Sequence, residues 1–517
     1  MTRGRLAAAA GIAASAVFLR FWRLDWALDE RLFFPDEIIW YVRVSQFVPL
    51  SWSSFDLDFT HTYPTLYGYF AGLATAATYA LGLVRPPPDG AFDALYVCRV
   101  VAAAAGVVDV GLVGLLGWRC FSAPVGLAAA ALFAVLPLEA AQVHYSSVDS
   151  LTIAFVTLAL LASHALALRG GLARAAAAGV CVGLAFATKY TGLGALGGLL
   201  VPLLAQSRGG RRWATALALG IAVVVGLGAG ITVGCPPCVL RPSSLLVQLS
   251  DLRRLTDTGD FLNARLVASL GWAGTRYVYQ LVALLPYTLG WPLCLLVVWG
   301  VVVAIRRRSL ADWVLLGAVA TYFVSIGASS LVFPRYLMPL EPGLVVLAAR
   351  AGVEQAGRSP ARWAALAAVW LYTFVVATSH VASASLVQQK EVAAWIAARP
   401  QGLRVATPEH AVEYFFLTPF LARAGLTPVV MKAGQWLDAP ADVFVVPELL
   451  AVGVQRDHPD GVEARDVARL EASERGFRPA ARWPMEYLHR GLYSWLDPGL
   501  SPVLGTCGFR VYVRDRK

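Results

Sequence analysis

Long apolar runs recur along the chain from its N-terminus to about His380. The clear ones cover residues 5–22, 100–117, 121–141, 150–168, 173–188, 191–206, 213–234, 278–304, 311–331, 338–350 and 363–384. Most are long enough to cross ~30 Å of hydrocarbon as helices. A twelfth stretch, 67–84, is apolar but studded with Tyr, Thr and Gly. After Lys390 the pattern changes to charged, Pro-rich text with short strand-like runs. The spacing there predicts a helix near Lys390–Arg399 and strands near Leu403–Ala406, Asp442–Val446 and Phe509–Val513, a small α/β domain. The chain thus divides into a transmembrane domain, 1–385, and a C-terminal domain, 386–517. No internal repeat is visible.

Charge decides whether 67–84 crosses. Arg3 and Arg5 place the N-terminus inside. If 67–84 stays out of the count, the inside loops carry Arg119, then Arg169 and Arg174, then Arg208, Arg211 and Arg212. Arg306, Arg307 and Arg308 follow, and then Arg350, Arg358 and Arg362. Every short basic cluster then falls on the inner side, as basic loops do. Counting 67–84 as a span would put all the later clusters outside. The segment is therefore expected to lie along the interface or re-enter. That leaves about eleven transmembrane helices, outward loops at 23–99 and 235–277, and an extracytoplasmic C-terminal domain.

Composition agrees: 58% of the 517 residues are hydrophobic and 15% charged, with a mean hydropathy of +0.61. No soluble core of this length hides so much apolar surface. The net charge of +10 reports topology, and no basic helix with interleaved aromatics points to nucleic acid. Only four of the 43 basic residues are Lys, a bias that suits a GC-rich bacterial genome and hence a bacterial plasma membrane. The start, MTRGR before an apolar run, has a signal-peptide outline. No small-residue cleavage site precedes Phe21–Asp25, so it reads as a retained helix. Of seven Cys, Cys235-Pro-Pro-Cys238 has a suggestive spacing. The plainer reading is two cysteines at a Pro-broken helix end; the alternatives are a disulfide or a metal pair on an outward loop.

Ionisable groups near membrane depth are costly and therefore candidates. Asp36 and Glu37 sit in FFPDEIIWY, His61 and Tyr63 in THTYPTLYGY, and His144 and Asp149 in HYSSVDS. Lys189 and Tyr190 close a helix in ATKYTG, and Arg335 and Tyr336 stand in FPRYLMPLEP. In the eleven-span topology all face outward at one level. Plainer readings stand beside these. Asp149 suits a helix N-terminus, Lys189 and Arg335 suit snorkelling at the interface, and Asp36–Glu37 suit a solvated loop. His61 and His144 suit hydrogen-bonded structural roles. The mixture of acid, base and cation favours a site for an anionic, lipid-linked substrate.

These residues carry a resemblance. The acidic pair after the first helix is followed by His61-Thr62-Tyr63-Pro64-Thr65-Leu66-Tyr67, a Ser-x-x-Asp segment, Ala-Thr-Lys-Tyr-x-Gly and Arg-Tyr-x-x-Pro-x-x-Pro. In that order, over about 30–345, they resemble the protein O-mannosyltransferase and aminoarabinose transferase group. This group belongs to the C-type membrane glycosyltransferases, which use polyprenyl-phosphate sugars. The resemblance implies Asp36, beside Glu37, as the catalytic acidic pair, with Asp36 the general base that takes the acceptor's hydroxyl proton. It implies Lys189, Arg335, Tyr336 and His61 at the donor phosphate, and Asp149, His144, Tyr63 and Tyr190 around sugar or acceptor. The 235–277 loop would close over the donor, and 67–84 would border the lipid's access groove. Thr65 stands where the group usually has a second Pro, and His61 replaces the Lys of the aminoarabinose transferases. The acceptor class (protein, lipid or cell-envelope glycan) and a divalent metal both stay open. The competing readings are a transporter or flippase for a lipid-linked glycan and a non-catalytic scaffold.

Overall fold

The computed structural model describes residues 3–26, 28, 37–57, 63–86, 89–206, 212–258, 276–329, 333–384, 388–399, 402–409, 417–448, 462–483 and 508–514. The described residues of all eleven apolar runs are mostly helical. Among the described residues seven helices are long and apolar enough to span, two further pairs form bent units, and two are shorter apolar helices. The spanning set begins with α1 (Arg3–Phe21). Two short helices follow, α2 (Glu37–Ser45) and α3 (Leu66–Ala80). Then come α4 (Ala91–Cys120), α5 (Ala123–Ala134), α6 (Pro137–Gln142), α7 (Asp149–Arg169), α8 (Leu172–Thr188), α9 (Leu196–Gln206) and α10 (Arg212–Gly234).

The segment expected to lie along the interface or re-enter forms the helix α3. Its 15 residues reach only about 22 Å at 1.5 Å per residue, short of ~30 Å of hydrocarbon. The run 278–304 departs from expectation. It was read as one span, but α13 (Tyr277–Leu289) and α14 (Trp291–Arg307) meet at 117°. Pro286 and Pro292 remove backbone donors there, and Gly290 at φ 77° takes a conformation other residues resist. The pair is therefore a broken span or a re-entrant unit. Between these parts lie α11 (Pro236–Leu240) and α12 (Pro242–Thr258). The set ends with α15 (Leu310–Gly327), α16 (Glu341–Ala356) and α17 (Pro360–Ala384).

Small residues set the closest helix contact. On α8 a Cβ at Gly183 would stand 2.4 Å from the Leu227 carbonyl oxygen of α10, and one at Gly230 2.4 Å from that of Val180. Lipid supplies no hydrophobic drive between helices, so close backbone approach supplies the packing. At the Arg-rich end, Ser309 caps α15, accepting from the Asp312 amide at 3.2 Å while its own amide donates to Asp312 Oδ2 at 2.9 Å, a capping box. Arg350 pairs with the same Asp312, and Arg307 with Glu354 at 3.0 Å. Deeper in the bundle, Arg20 of α1 pairs with Glu139 of α6, both fully buried. Asp109 and Glu341 are buried too, and among the described residues their carboxylate oxygens meet no hydrogen-bond donor.

The C-terminal part is an α/β domain. Strands β1 (Val405–Pro408), β2 (Val429–Met431), β3 (Val443–Pro447), β4 (Phe477–Trp483) and β5 (Phe509–Arg514) form one sheet in the order β2-β1-β3-β5-β4. β1 lies parallel to β2 and β3, and β5 antiparallel to β3 and β4. One face packs on α18 (Gln388–Ala397) and α19 (Leu417–Arg423), the other on α20 (Val462–Glu471). β3, VFVVP, is buried on both faces, as a central strand between helical layers must be. At its end the Glu448 side chain, 0% exposed, meets Arg482 and, at 3.0 Å, Arg510.

Two predictions follow. Gly183→Ala forces backbone apart and costs about 1–3 kcal/mol, whereas Gly220→Ala, with open space around its Cβ, leaves stability unchanged or raised; thermal unfolding in detergent compares them. Burial opposes ionisation of Glu448, but hydrogen bonds from Arg510 and Arg482 outweigh it and hold its carboxyl below the ordinary range. Its contribution is therefore complete above the unfolded value of about 4.3 and is lost as pH falls through the lower folded value. Hydrogen exchange of β3–β5 peptides should accelerate on acidification, and Glu448→Gln should flatten that dependence.

Candidate active site at one end of the bundle

Contacts join the end of α8 to the start of α7, the first third of α4 to the loop after α1, and the turns before α16 to the end of α8. The centre is an ion pair. α8 ends at Thr188, and Lys189, extended at φ −152°, carries its side chain inward at 5% exposure. Its Nζ donates to Asp149 Oδ1 at 2.5 Å. Asp149 opens α7, where an acid suits the helix dipole. Ser147 Oγ donates to its Oδ2 at 2.6 Å and accepts from its amide at 3.1 Å. The Lys189 ammonium also lies 5.0 Å from the centre of the Tyr336 ring, a cation–π distance. Tyr336 follows Arg335 in a 3-10 turn, Pro334–Tyr336, and the Arg335 guanidinium lies 5.3 Å from the Phe333 ring centre. Three distant segments thus gather two cations, an acid and a phenol.

A second group braces the first. Arg99 grips Glu37 with two bonds of 2.8 Å, and Ser146 Oγ donates to Glu37 Oε1 at 2.9 Å. Arg99 also donates to the carbonyls of Trp26 at 2.8 Å and Leu24 at 3.2 Å. Glu37 was expected in the chemistry; instead it is fully enclosed, with its oxygens occupied by Arg99 and Ser146. His144 was expected near sugar or acceptor. Its two ring nitrogens face the carbonyls of Ala140 and Trp22, each at 2.9 Å, so it fastens α6 to the end of α1. Asp36 and His61 lie outside the described residues.

Tyr63 and Tyr190 are both placed at this end. Arg43 of α2 holds the motif loop by donating to the Tyr63 carbonyl at 3.0 Å and the Pro64 carbonyl at 3.2 Å, over the Trp40 ring. Burial lowers its pKa to about 10. Thr65 Oγ1 donates to the Gly234 carbonyl at 3.0 Å, joining that loop to α10. Tyr190 donates its hydroxyl to Gln248 of α12 at 3.0 Å. Sequence reading passed over Arg43, Arg99 and Gln248, which belong to no motif. Asp56, the first acid of the Asp-x-Asp motif Asp56-Leu57-Asp58, pairs with Arg241 at 2.8 Å.

Between α3 and the end of α10 an open apolar groove of about 280 Å³ is lined by Phe55, Leu66, Tyr69, Phe70, Leu73, Val233 and Pro236. At its α10 end Cys235 and Cys238 form a disulfide with Cα atoms 5.3 Å apart. That corrects the plainer reading of two cysteines at a broken helix end: the Pro236–Pro237 turn brings their Cα atoms within bridging distance. Among the described residues no group of three or more His, Cys, Asp or Glu is placed to hold a metal ion. Arg99→Met should strand Glu37 as a buried uncompensated charge at a cost of about 3–5 kcal/mol. Thermal unfolding should show the loss, and the Arg99→Met/Glu37→Gln double variant should recover part of it.

Residues 93–233 match the family described as dolichyl-phosphate-mannose-protein mannosyltransferase. No curated protein matches the sequence. Among solved structures, the chain is similar to the oligosaccharyltransferase AglB from Archaeoglobus fulgidus in complex with an inhibitory peptide and a dolichol-phosphate. That likeness has a TM-score of 0.52 at 12% identity and covers 99% of this chain and 88% of the other. It is similar to ArnT from Cupriavidus metallidurans bound to undecaprenyl phosphate, with a TM-score of 0.50 at 15% identity over 88% of this chain and 95% of the other. The apo form of ArnT gives 0.50 at 16% identity over 87% and 95%. At such identities these likenesses establish the fold. The chain thus has the fold of polytopic membrane glycosyltransferases over most of its length, and across α4–α10 it is similar to the protein mannosyltransferase family.

Proposed function

We propose that the chain transfers a sugar, with inversion, from a polyprenyl-phosphate donor to an extracytoplasmic acceptor at a bacterial plasma membrane. The observation that carries this reading is the buried Lys189–Asp149 pair under the Tyr336 ring, with Arg335 in the same turn. A polyprenyl phosphate leaves with growing negative charge, and fixed cations in a poorly solvated site stabilise it well. The ion pair with Asp149 aims the Lys189 side chain. Asp36, next in sequence to the Arg99-clamped Glu37, is the general base for the acceptor hydroxyl. His61 assists at the phosphate. Tyr63 and Tyr190 border sugar and acceptor. Glu37 and His144 act as positioning residues. The apolar groove takes the first part of the lipid.

The side of the membrane follows from charge. The Arg-rich loops lie at the opposite end, so the site faces outward. The disulfide at the site end suits an oxidising compartment. The similar structures hold a dolichol-phosphate in one case and undecaprenyl phosphate in another, which supports this donor class. The second reading, a transporter for a lipid-linked glycan, has one observation in its favour. Ionisable residues inside spans often mark a pathway, and Arg20, Asp109, Glu139 and Glu341 are buried within the bundle.

Purified protein in detergent, given a panel of radiolabelled polyprenyl-phosphate monosaccharides, separates the two. A transferase releases or transfers sugar without a membrane; a transporter does not. Asp36→Asn should lower turnover about 10²–10⁴-fold, and Lys189→Ala should lower it about 10²–10³-fold. Parallel runs with EDTA settle the metal. Full activity in Asp36→Asn would remove it as the base.

A further inference from the structure

The corner between α10 and α11 carries more than its length suggests. Pro236 and Pro237 have no N–H to give, so a backbone ladder cannot hold this turn. The Cys238 amide reaches the Cys235 carbonyl at 2.9 Å, and the disulfide closes the same four residues. Both cysteines are buried among Leu66, Tyr67, Phe186 and Ala187. Three parts of the site hang from this corner. Pro236 and Val233 line the apolar groove. The Gly234 carbonyl receives Thr65 of the motif loop. Beyond it, Arg241 pairs with Asp56, and α12 brings Gln248 to Tyr190, the residue after Lys189. A crosslink over so short a loop removes little chain entropy, so its weight falls on local geometry.

We propose that the Cys235–Cys238 disulfide is a positioning element for the lipid-phosphate donor, and that its reduction weakens donor binding without unfolding the bundle. The inference rests on the donor reading above. A dithiol supplies the two electrons and two protons. Its thiolate attacks one sulfur, its second thiol then displaces that sulfur, and Cys235 and Cys238 are left as thiols with the dithiol oxidised to its cyclic disulfide. Cys98, Cys120, Cys181 and Cys294 are already free, so among the described residues this pair alone responds.

The test uses full-length protein, untreated and treated with dithiothreitol, beside a Cys235→Ser/Cys238→Ser double variant. Steady-state kinetics give KM for the polyprenyl-phosphate sugar and kcat at saturating donor. Native mass spectrometry gives binding of undecaprenyl phosphate alone. The expected result is a donor KM and a lipid-phosphate dissociation constant raised about tenfold or more, the scale on which small misplacements act. The expected kcat changes less than about twofold on that same scale. The double variant should match the reduced wild type and ignore dithiothreitol. Equal KM and equal lipid-phosphate binding in the double variant and wild type, even with a lowered melting temperature, would reduce the bond to a structural staple. If wild type neither turns over nor binds undecaprenyl phosphate, the donor reading fails and takes this inference with it. If it binds without turnover, the binding comparison alone decides.

Discussion

A lysine ammonium that is 5% exposed at the end of a membrane helix keeps its charge only if an anion meets it. Asp149 is that anion, 2.5 Å away. The rest of the site depends on this pair. It fixes where α8 stops relative to where α7 starts, and it holds Lys189 beside the Tyr336 ring of the turns before α16. Burial makes such a pair costly to break, because either partner left alone is an uncompensated charge. The same low dielectric makes the cation effective against a developing phosphate charge. Stability and chemistry therefore draw on one interaction.

Around it the protein solves a membrane problem and a positioning problem with different means. Within the spans, close contact rests on small residues such as Gly183 and Gly230. At the end that carries the candidate site the chain is irregular, and buried arginines organise it. Arg99 ties the start of α2 to the loop after α1, and Arg43 ties the end of α2 to the motif loop. The guanidinium suits this work, since its several fixed donors bond carboxylate and carbonyls at once. The opposite end uses Arg350 and Asp312 to close α15 and α16.

Much of this was legible in the sequence, because hydropathy and loop charge report spans directly. The end of α8 at ATKYTG and the start of α7 at Asp149 fall where the pattern placed them. What pattern cannot show is a partner far along the chain. Glu37 reads as a reactive acid until Arg99, 62 residues on, is seen gripping it. The bend at Gly290 was hidden because hydropathy runs unbroken through it, and only Pro286, Gly290 and Pro292 marked the place. The disulfide was hidden because spacing carries no Cβ directions. In the C-terminal sheet the central strands β1 and β3 were evident as buried apolar runs. The edge strands β2 and β4 were not, since edges carry exposed and polar residues, as FRPAARW does.

The central claim is that a lipid phosphate binds at the Lys189–Asp149–Tyr336 level. The most direct measurement is an experimental structure of the protein with bound polyprenyl phosphate. The account predicts a phosphate oxygen about 2.7–2.9 Å from Lys189 Nζ, the range of a charge-assisted bond, with the prenyl chain running along α3 toward Pro236. Phosphate seated at the Arg-rich opposite end, or beside Arg20 and Glu139 within the spans, would contradict it.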